Sequence, residues 1–142
     1  MLFTKQELIL NGVVEADYKE LVNEVTKGID PIGDTEPFFD VLVTYYAERS
    51  AREIRRLITT IVYQQIVDKT TGNADLEEDI KTAEIKMTQG YLIEARKRLL
   101  DDGFVSNSQQ GVTVTKDINL SSQRLHREAL VLIRRHYANI IG

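Results

Sequence analysis

Residues 86–105 read KMTQGYLIEARKRLLDDGFV, and this stretch decides the fold that the sequence predicts. Three of its apolar residues fall within an arc of about 60° on an ideal helix, in which successive residues turn by about 100°. These residues are Leu92, Ala95 and Leu99. Such a narrow stripe predicts a helix over Tyr91–Asp102 that packs on the helix before it. Gly103 is suited to the left-handed backbone conformation that commonly ends a helix.

The residues on either side of this helix complete a larger motif. Leu76–Met87 predicts a preceding helix, separated from the next one only by Thr88 and its neighbours. Two short strands are favoured by the sequence here: the first by Phe104 and Val105, and the second by the two alternating valines of Gly111–Thr115. The polar residues 106–110 between them predict a tight turn.

This order of two helices and a hairpin over residues 76–115 resembles the winged helix-turn-helix of GntR-type DNA-binding proteins. The resemblance implies that Thr88 caps a recognition helix, that Asp102–Val105 leads into a wing, and that residues 106–110 form the wing tip. It also implies DNA contacts at Lys86, Thr88, Gln89, Tyr91, Lys97, Arg98, Gln109, Gln110 and Lys116. The same residues fit a structural helix followed by a β-hairpin without DNA binding, and this alternative stays open.

The N-terminal region predicts two short helices. Thr4 and Glu7 have the spacing of a capping box, which places a helix start at Lys5, and Gly12 ends that helix. A second helix, closed by Gly28, is indicated by the stripe Tyr18, Leu21, Val22 and Val25. Residues 29–36 contain proline, glycine and two aspartates, which is typical of a loop.

Residues 37–69 predict either one long helix or two. Thr35 is placed to cap a helix that has Pro37 in its first turn. Two apolar stripes follow, separated by polar residues near Ser50, where the helix either bends or runs through. The stripes are Phe38, Val41, Leu42 and Tyr45, and then Ile54, Leu57, Ile58, Ile61, Val62 and Ile66. Residues 70–73 end this region.

A final helix is predicted from near Leu120 to Ile141. Its apolar side holds Leu125, Ala129, Leu130, Leu132, Ile133 and Tyr137. Four arginines are interleaved with them: Arg124, Arg127, Arg134 and Arg135. They fit either a surface for nucleic acid or another anionic partner, or the exposed face of a dimerisation helix.

Composition limits the class of protein. The 142 residues carry a net charge of −4, divided unevenly: residues 1–40 hold three Lys and nine Asp or Glu, whereas residues 104–142 hold five Lys or Arg and two Asp or Glu. We therefore expect a mainly α protein with an acidic helical N-terminal arm over 1–36 and a helical domain over 37–142. The sequence contains no cysteine, and neither a signal peptide nor a stretch long enough to span a membrane is evident. We expect no enzymatic site, cofactor, metal or membrane partner, and a location in the cytoplasm or in a virion.

Two functions are compatible with these features. The first is a winged-helix regulator that binds double-stranded DNA as a homodimer joined through its long helices. The second is a structural assembly protein, such as a phage virion connector or neck subunit. In the second case the apolar residues of the N-terminal arm would dock on other protein subunits, namely Leu2, Phe3, Leu8, Ile9 and Leu10.

Overall fold

The computed structural model describes the backbone of residues 1–25, 37–99 and 108–141, and the side chains of residues 1–24, 39–99 and 121–137. These residues form six α-helices and one 3₁₀ turn, and none of them lies in a β-strand. The helices are α1 (Lys5–Leu10), α2 (Lys19–Val25), α3 (Pro37–Ile58), α4 (Thr60–Asp68), α5 (Ala74–Leu99) and α6 (Ser108–Ile141), and the 3₁₀ turn Glu15–Tyr18 precedes α2. The prediction of a mainly α fold is confirmed.

The described N-terminal residues pack into the body of the protein. The predicted capping box is present, because the Thr4 side chain accepts from the Glu7 amide and the Glu7 carboxylate accepts from the Thr4 amide. Phe3, Leu8 and Tyr18 are buried in a core that they share with α3 and α5. Of the apolar residues that were expected to dock on a partner, Phe3 and Leu8 are therefore used internally, whereas Leu10 is 84% exposed.

Residues 37–69 form two helices, and the break lies at Thr59. Helix α3 passes through Ser50 without interruption and ends at Ile58. Thr59 has a φ of 80°, which is rare for a β-branched residue. Its hydroxyl accepts from the amide of Val62 and so caps α4. This turn allows both Ile58 and Tyr63 to be buried.

The buried face of α3 differs from the predicted stripe. Leu42 is buried as expected, but Val41 and Tyr45 are 63% and 65% exposed. The buried residues instead follow a helical period that includes small side chains: Phe39, Leu42, Val43, Ala47, Ser50, Ala51, Ile54 and Ile58. The small residues at the middle of this face allow α3 to lie close to α5.

A single helix, α5, spans residues 74–99, so the predicted division into two helices at Thr88 is wrong. Thr88 is fully buried, and its hydroxyl donates to the carbonyl oxygen of Glu84 one turn earlier, at 2.8 Å. This bond keeps the Thr88 side chain against its own helix, where it does not cap a new one. The Thr88 hydroxyl also lies 3.0 Å from that of Ser50 on α3.

The predicted hairpin is not confirmed. Residues 100–107, with the first strand and most of the turn, lie outside the described residues. Gly111–Thr115 lies within α6, so the prediction of a strand there is wrong, as is the predicted start of the last helix near Leu120. Two alternating valines are too short a pattern to distinguish a strand from a helix. The predicted end of that helix at Ile141 is confirmed.

Helix α5 contributes to both apolar clusters of the interior. One cluster joins it to the N-terminal residues, α2 and the first half of α3. The other joins it to the second half of α3, α4 and α6. Because α5 contributes to both clusters, it is the central helix of the described part of the chain.

One carboxylate, that of Glu84, is fully buried on α5. Its Oε2 accepts from the amide of Leu2 at 2.6 Å, and its Oε1 accepts from the hydroxyl of Tyr63. Burial raises the pKa of Glu84, although both hydrogen bonds favour the charged form. Between the usual glutamate pKa and the raised one, Glu84 keeps its proton in the folded chain and loses it in the unfolded chain. The free energy of unfolding therefore decreases as the pH rises through this range.

Glu84→Gln tests this assignment. A glutamine can accept from the Leu2 amide and donate to the Tyr63 hydroxyl, but it does not titrate. We expect the free energy of unfolding of the variant, relative to the natural chain, to increase as the pH rises from about 4 towards neutrality. Urea unfolding of both proteins across this range measures the difference. Carboxylates such as Glu7 titrate in the same way in both proteins, so their contributions to the free energy of unfolding cancel. A difference that is independent of pH would contradict the assignment.

Candidate functional site

The residues of α5 that the winged-helix resemblance assigned to DNA do not form one exposed surface. Thr88 is buried, and Lys86 is held by Glu128 on α6, with 2.7 Å between Nζ and Oε2. Tyr91 is partly buried between α3 and α6. The remaining α5 candidates, Gln89 and Lys97, are partly exposed, and Arg98 is exposed.

The other three candidates were expected in the wing. Gln109, Gln110 and Lys116 lie on the first turns of α6, and their side chains lie outside the described residues. They therefore lie on a helix whose later turns pack into the core.

Helices α5 and α6 are in close contact at Gly90. A β-carbon at this position would lie 2.8 Å from Nε2 of His126, so glycine makes room for the imidazole. The hydroxyl of Ser122 donates to the Gly90 carbonyl oxygen at 3.2 Å and lies 2.8 Å from a carboxylate oxygen of Glu94. His126 Nε2 is 3.3 Å from the same carboxylate oxygen. These contacts fix the rotation of α6 about its own axis.

An aromatic group beside this contact joins α6 to α3. The rings of Tyr91 and His126 are 4.8 Å apart, and Tyr46 lies 6.3 Å from Tyr91 on the α3 side. The guanidinium of Arg49 lies 4.3 Å above the Tyr91 ring, which is a cation–π distance. Tyr91 therefore serves the packing of three helices.

Helix α6 has two opposite faces between residues 121 and 137. The face towards the core carries Ser122, Leu125, Ala129 and Ile133, all of which are buried. The exposed arginines fall within an arc of about 100° on the other side of an ideal helix: Arg124, Arg127, Arg134 and Arg135. We call these four residues the arginine face. It extends about 16 Å along the helix axis.

Most of the arginine face is not neutralised by the described part of the chain. Arg124 Nε lies 3.7 Å from a carboxylate oxygen of Glu128, the acidic group that also holds Lys86. The hydrogen bond from Lys86 lowers the pKa of Glu128, so this carboxylate is charged at neutral pH. None of the ion pairs among the described side chains involves the other three arginines of the face.

A groove of about 350 Å³ runs between the arginine face and α5. Val131 and Leu132 form its apolar floor, and Val131 is 49% exposed. Cationic groups stand along its rim, namely Lys86, Arg127 and Arg135. Thr82 and Glu128 complete the lining. A ligand of this groove would need both apolar and acidic groups.

Comparison with known proteins does not add to these observations. The chain matches no protein family, no curated protein and no solved structure. Within the ranges that the structure describes, no helix is long and apolar enough to cross a membrane. The same ranges contain no group of three or more His, Asp or Glu side chains that could hold a metal ion.

The contact at Gly90 yields a quantitative prediction. Gly90→Ala gains about 1 kcal/mol of helix propensity, but its β-carbon would displace His126, so we expect a net loss of stability. Removal of the imidazole should relieve the conflict. Gly90→Ala should therefore cost at least about 1 kcal/mol less in a His126→Ala background than in the natural chain.

Urea unfolding of the natural chain, both single variants and the double variant measures this coupling. Equal costs of Gly90→Ala in the two backgrounds would contradict the assigned contact.

Proposed function

We propose that this chain is a non-enzymatic assembly protein whose copies join into a multimer larger than a dimer, with the arginine face as one half of each contact. The arginine face and the groove beside it support this proposal. Arginine binds carboxylates through two parallel hydrogen bonds, and exposed apolar residues next to such groups are typical of protein interfaces. A helix face of about 16 Å fits an ordinary protein–protein contact.

The charge of this face favours a contact between two different surfaces. In a two-fold dimer built on the arginine face, arginines would lie opposite arginines, and like charges across an interface are unfavourable. The partner surface must therefore be acidic. When the two surfaces of a contact differ, each copy can bind one neighbour on either side, and the result is a ring or a filament.

Binding to the DNA backbone is the second candidate function, and the same face favours it. Four arginines over about 16 Å span several phosphates of one strand. The net charge of −4 and the carboxylate of Glu128 beside the face oppose this function. The apolar floor of the groove also has no counterpart in a phosphate backbone, so we place assembly first.

One experiment decides between the two candidates. Sedimentation velocity of the full chain at micromolar concentrations and low salt should show a species larger than a dimer. Added salt should shift it towards smaller species, because exposed ion pairs are screened. A monomer or dimer at every concentration would overturn the assembly function. Co-sedimentation of such a monomer or dimer with a duplex oligonucleotide would support DNA binding instead.

A further inference from the structure

The N-terminal segment carries an acidic surface that complements the arginine face. Glu15, Asp17 and Glu20 lie on the 3₁₀ turn and the start of α2, and all three are exposed. Within the described residues none of them forms an ion pair. Lys19 is the one basic residue among positions 10–24.

Exposed apolar residues accompany this acidic surface. Leu10 is 84% exposed at the end of α1, and Val14 is 52% exposed immediately before the 3₁₀ turn. The segment thus combines the two kinds of group that the groove on α6 requires: apolar side chains for its floor and carboxylates for its cationic rim. We call residues 10–20 the acidic segment.

The acidic segment and the arginine face belong to different elements that pack along α5. Tyr18 and Leu21, which anchor the acidic segment, share a cluster with Leu92 and Leu99 near the C-terminus of α5. The far end of the arginine face lies near the start of α5, since His136 Nε2 is 2.8 Å from a carboxylate oxygen of Asp79. A distance of about 20 Å along α5 separates Asp79 from Leu92.

We infer that the acidic segment of one copy docks on the arginine face and groove of the next copy. This inference rests on the proposed assembly function and names its partner surface. Leu10 and Val14 would cover Val131 and Leu132, while Glu15 and Asp17 would pair with arginines of the rim. Because each copy offers both surfaces at separate places, the contact repeats from copy to copy.

Charge reversal tests the docking. Arg127→Glu with Arg135→Glu makes the rim acidic, and Glu15→Lys with Asp17→Lys makes the segment basic. All four side chains are exposed, so the monomer should fold normally, which circular dichroism checks. We expect each double variant alone to associate at least about tenfold more weakly than the natural chain.

An equimolar mixture of the two double variants should restore the multimer, because each acidic surface then faces a basic one. The matched control is Arg52→Glu with Arg56→Glu, which reverses two exposed arginines on α3 and should leave association unchanged.

The outcomes separate the docking from the assembly function. A natural chain that forms a multimer while both double variants still associate normally would overturn the docking and leave the assembly function intact. Weak association of both variants without recovery in the mixture would also overturn it, because the two surfaces would then not pair with each other. A natural chain that stays monomeric or dimeric would overturn the assembly function itself.

Discussion

The close packing of α6 on α5 at Gly90 sets the orientation of the helix that carries the arginine face. The missing side chain admits His126, and the Ser122 hydroxyl then lies within hydrogen-bond distance of two acceptors on α5, the Gly90 carbonyl oxygen and a carboxylate oxygen of Glu94. Since these contacts fix the rotation of α6, they also determine which residues face outwards. The arginine face is therefore a consequence of how the core is packed, and a change in the core contact would alter the surface.

Polar groups inside the protein hold the other helices in register. The hydroxyls of Ser50 and Thr88 meet between α3 and α5, and Tyr63 on α4 bonds to Glu84 on α5. Buried hydrogen bonds of this kind contribute little net free energy when they form, but leaving one partner unsatisfied is costly. They therefore favour one arrangement of α3, α4 and α5 over alternatives with similar apolar burial.

Local signals in the sequence predicted much of the fold. The capping box at Thr4, the turn before α5 and the end of α6 depend on neighbouring residues, and they are found as expected. The break at Thr88 was wrong because Thr88 was taken as the cap of a second helix, whereas Thr88 and Gly90 both lie inside α5. Thr88 instead contacts Ser50 of α3, and Gly90 makes room for His126 of α6. Such contacts between distant parts of the chain are not visible in a local pattern.

The same limit applies to the site. The arginines of α6 were recognised as a possible binding surface, but their common orientation and the groove beside them follow from the packing on α5. The buried face of α3 could have been found, since Ala47, Ser50, Ala51 and Ile54 keep a helical period, but small and polar residues carry little weight in an apolar stripe. The burial of Glu84 could not have been predicted, because the sequence does not distinguish a buried glutamate from an exposed one.

In the proposed assembly, the arginine face becomes covered when copies of the chain meet. Limited modification of arginines with phenylglyoxal, read by mass spectrometry over a dilution series, measures this coverage residue by residue. We expect Arg127 and Arg135 to become protected as the multimer forms, while Arg52 and Arg56 on α3 react at a constant rate. Equal reactivity of Arg127 and Arg135 in dilute and concentrated samples that do contain the multimer would contradict this expectation.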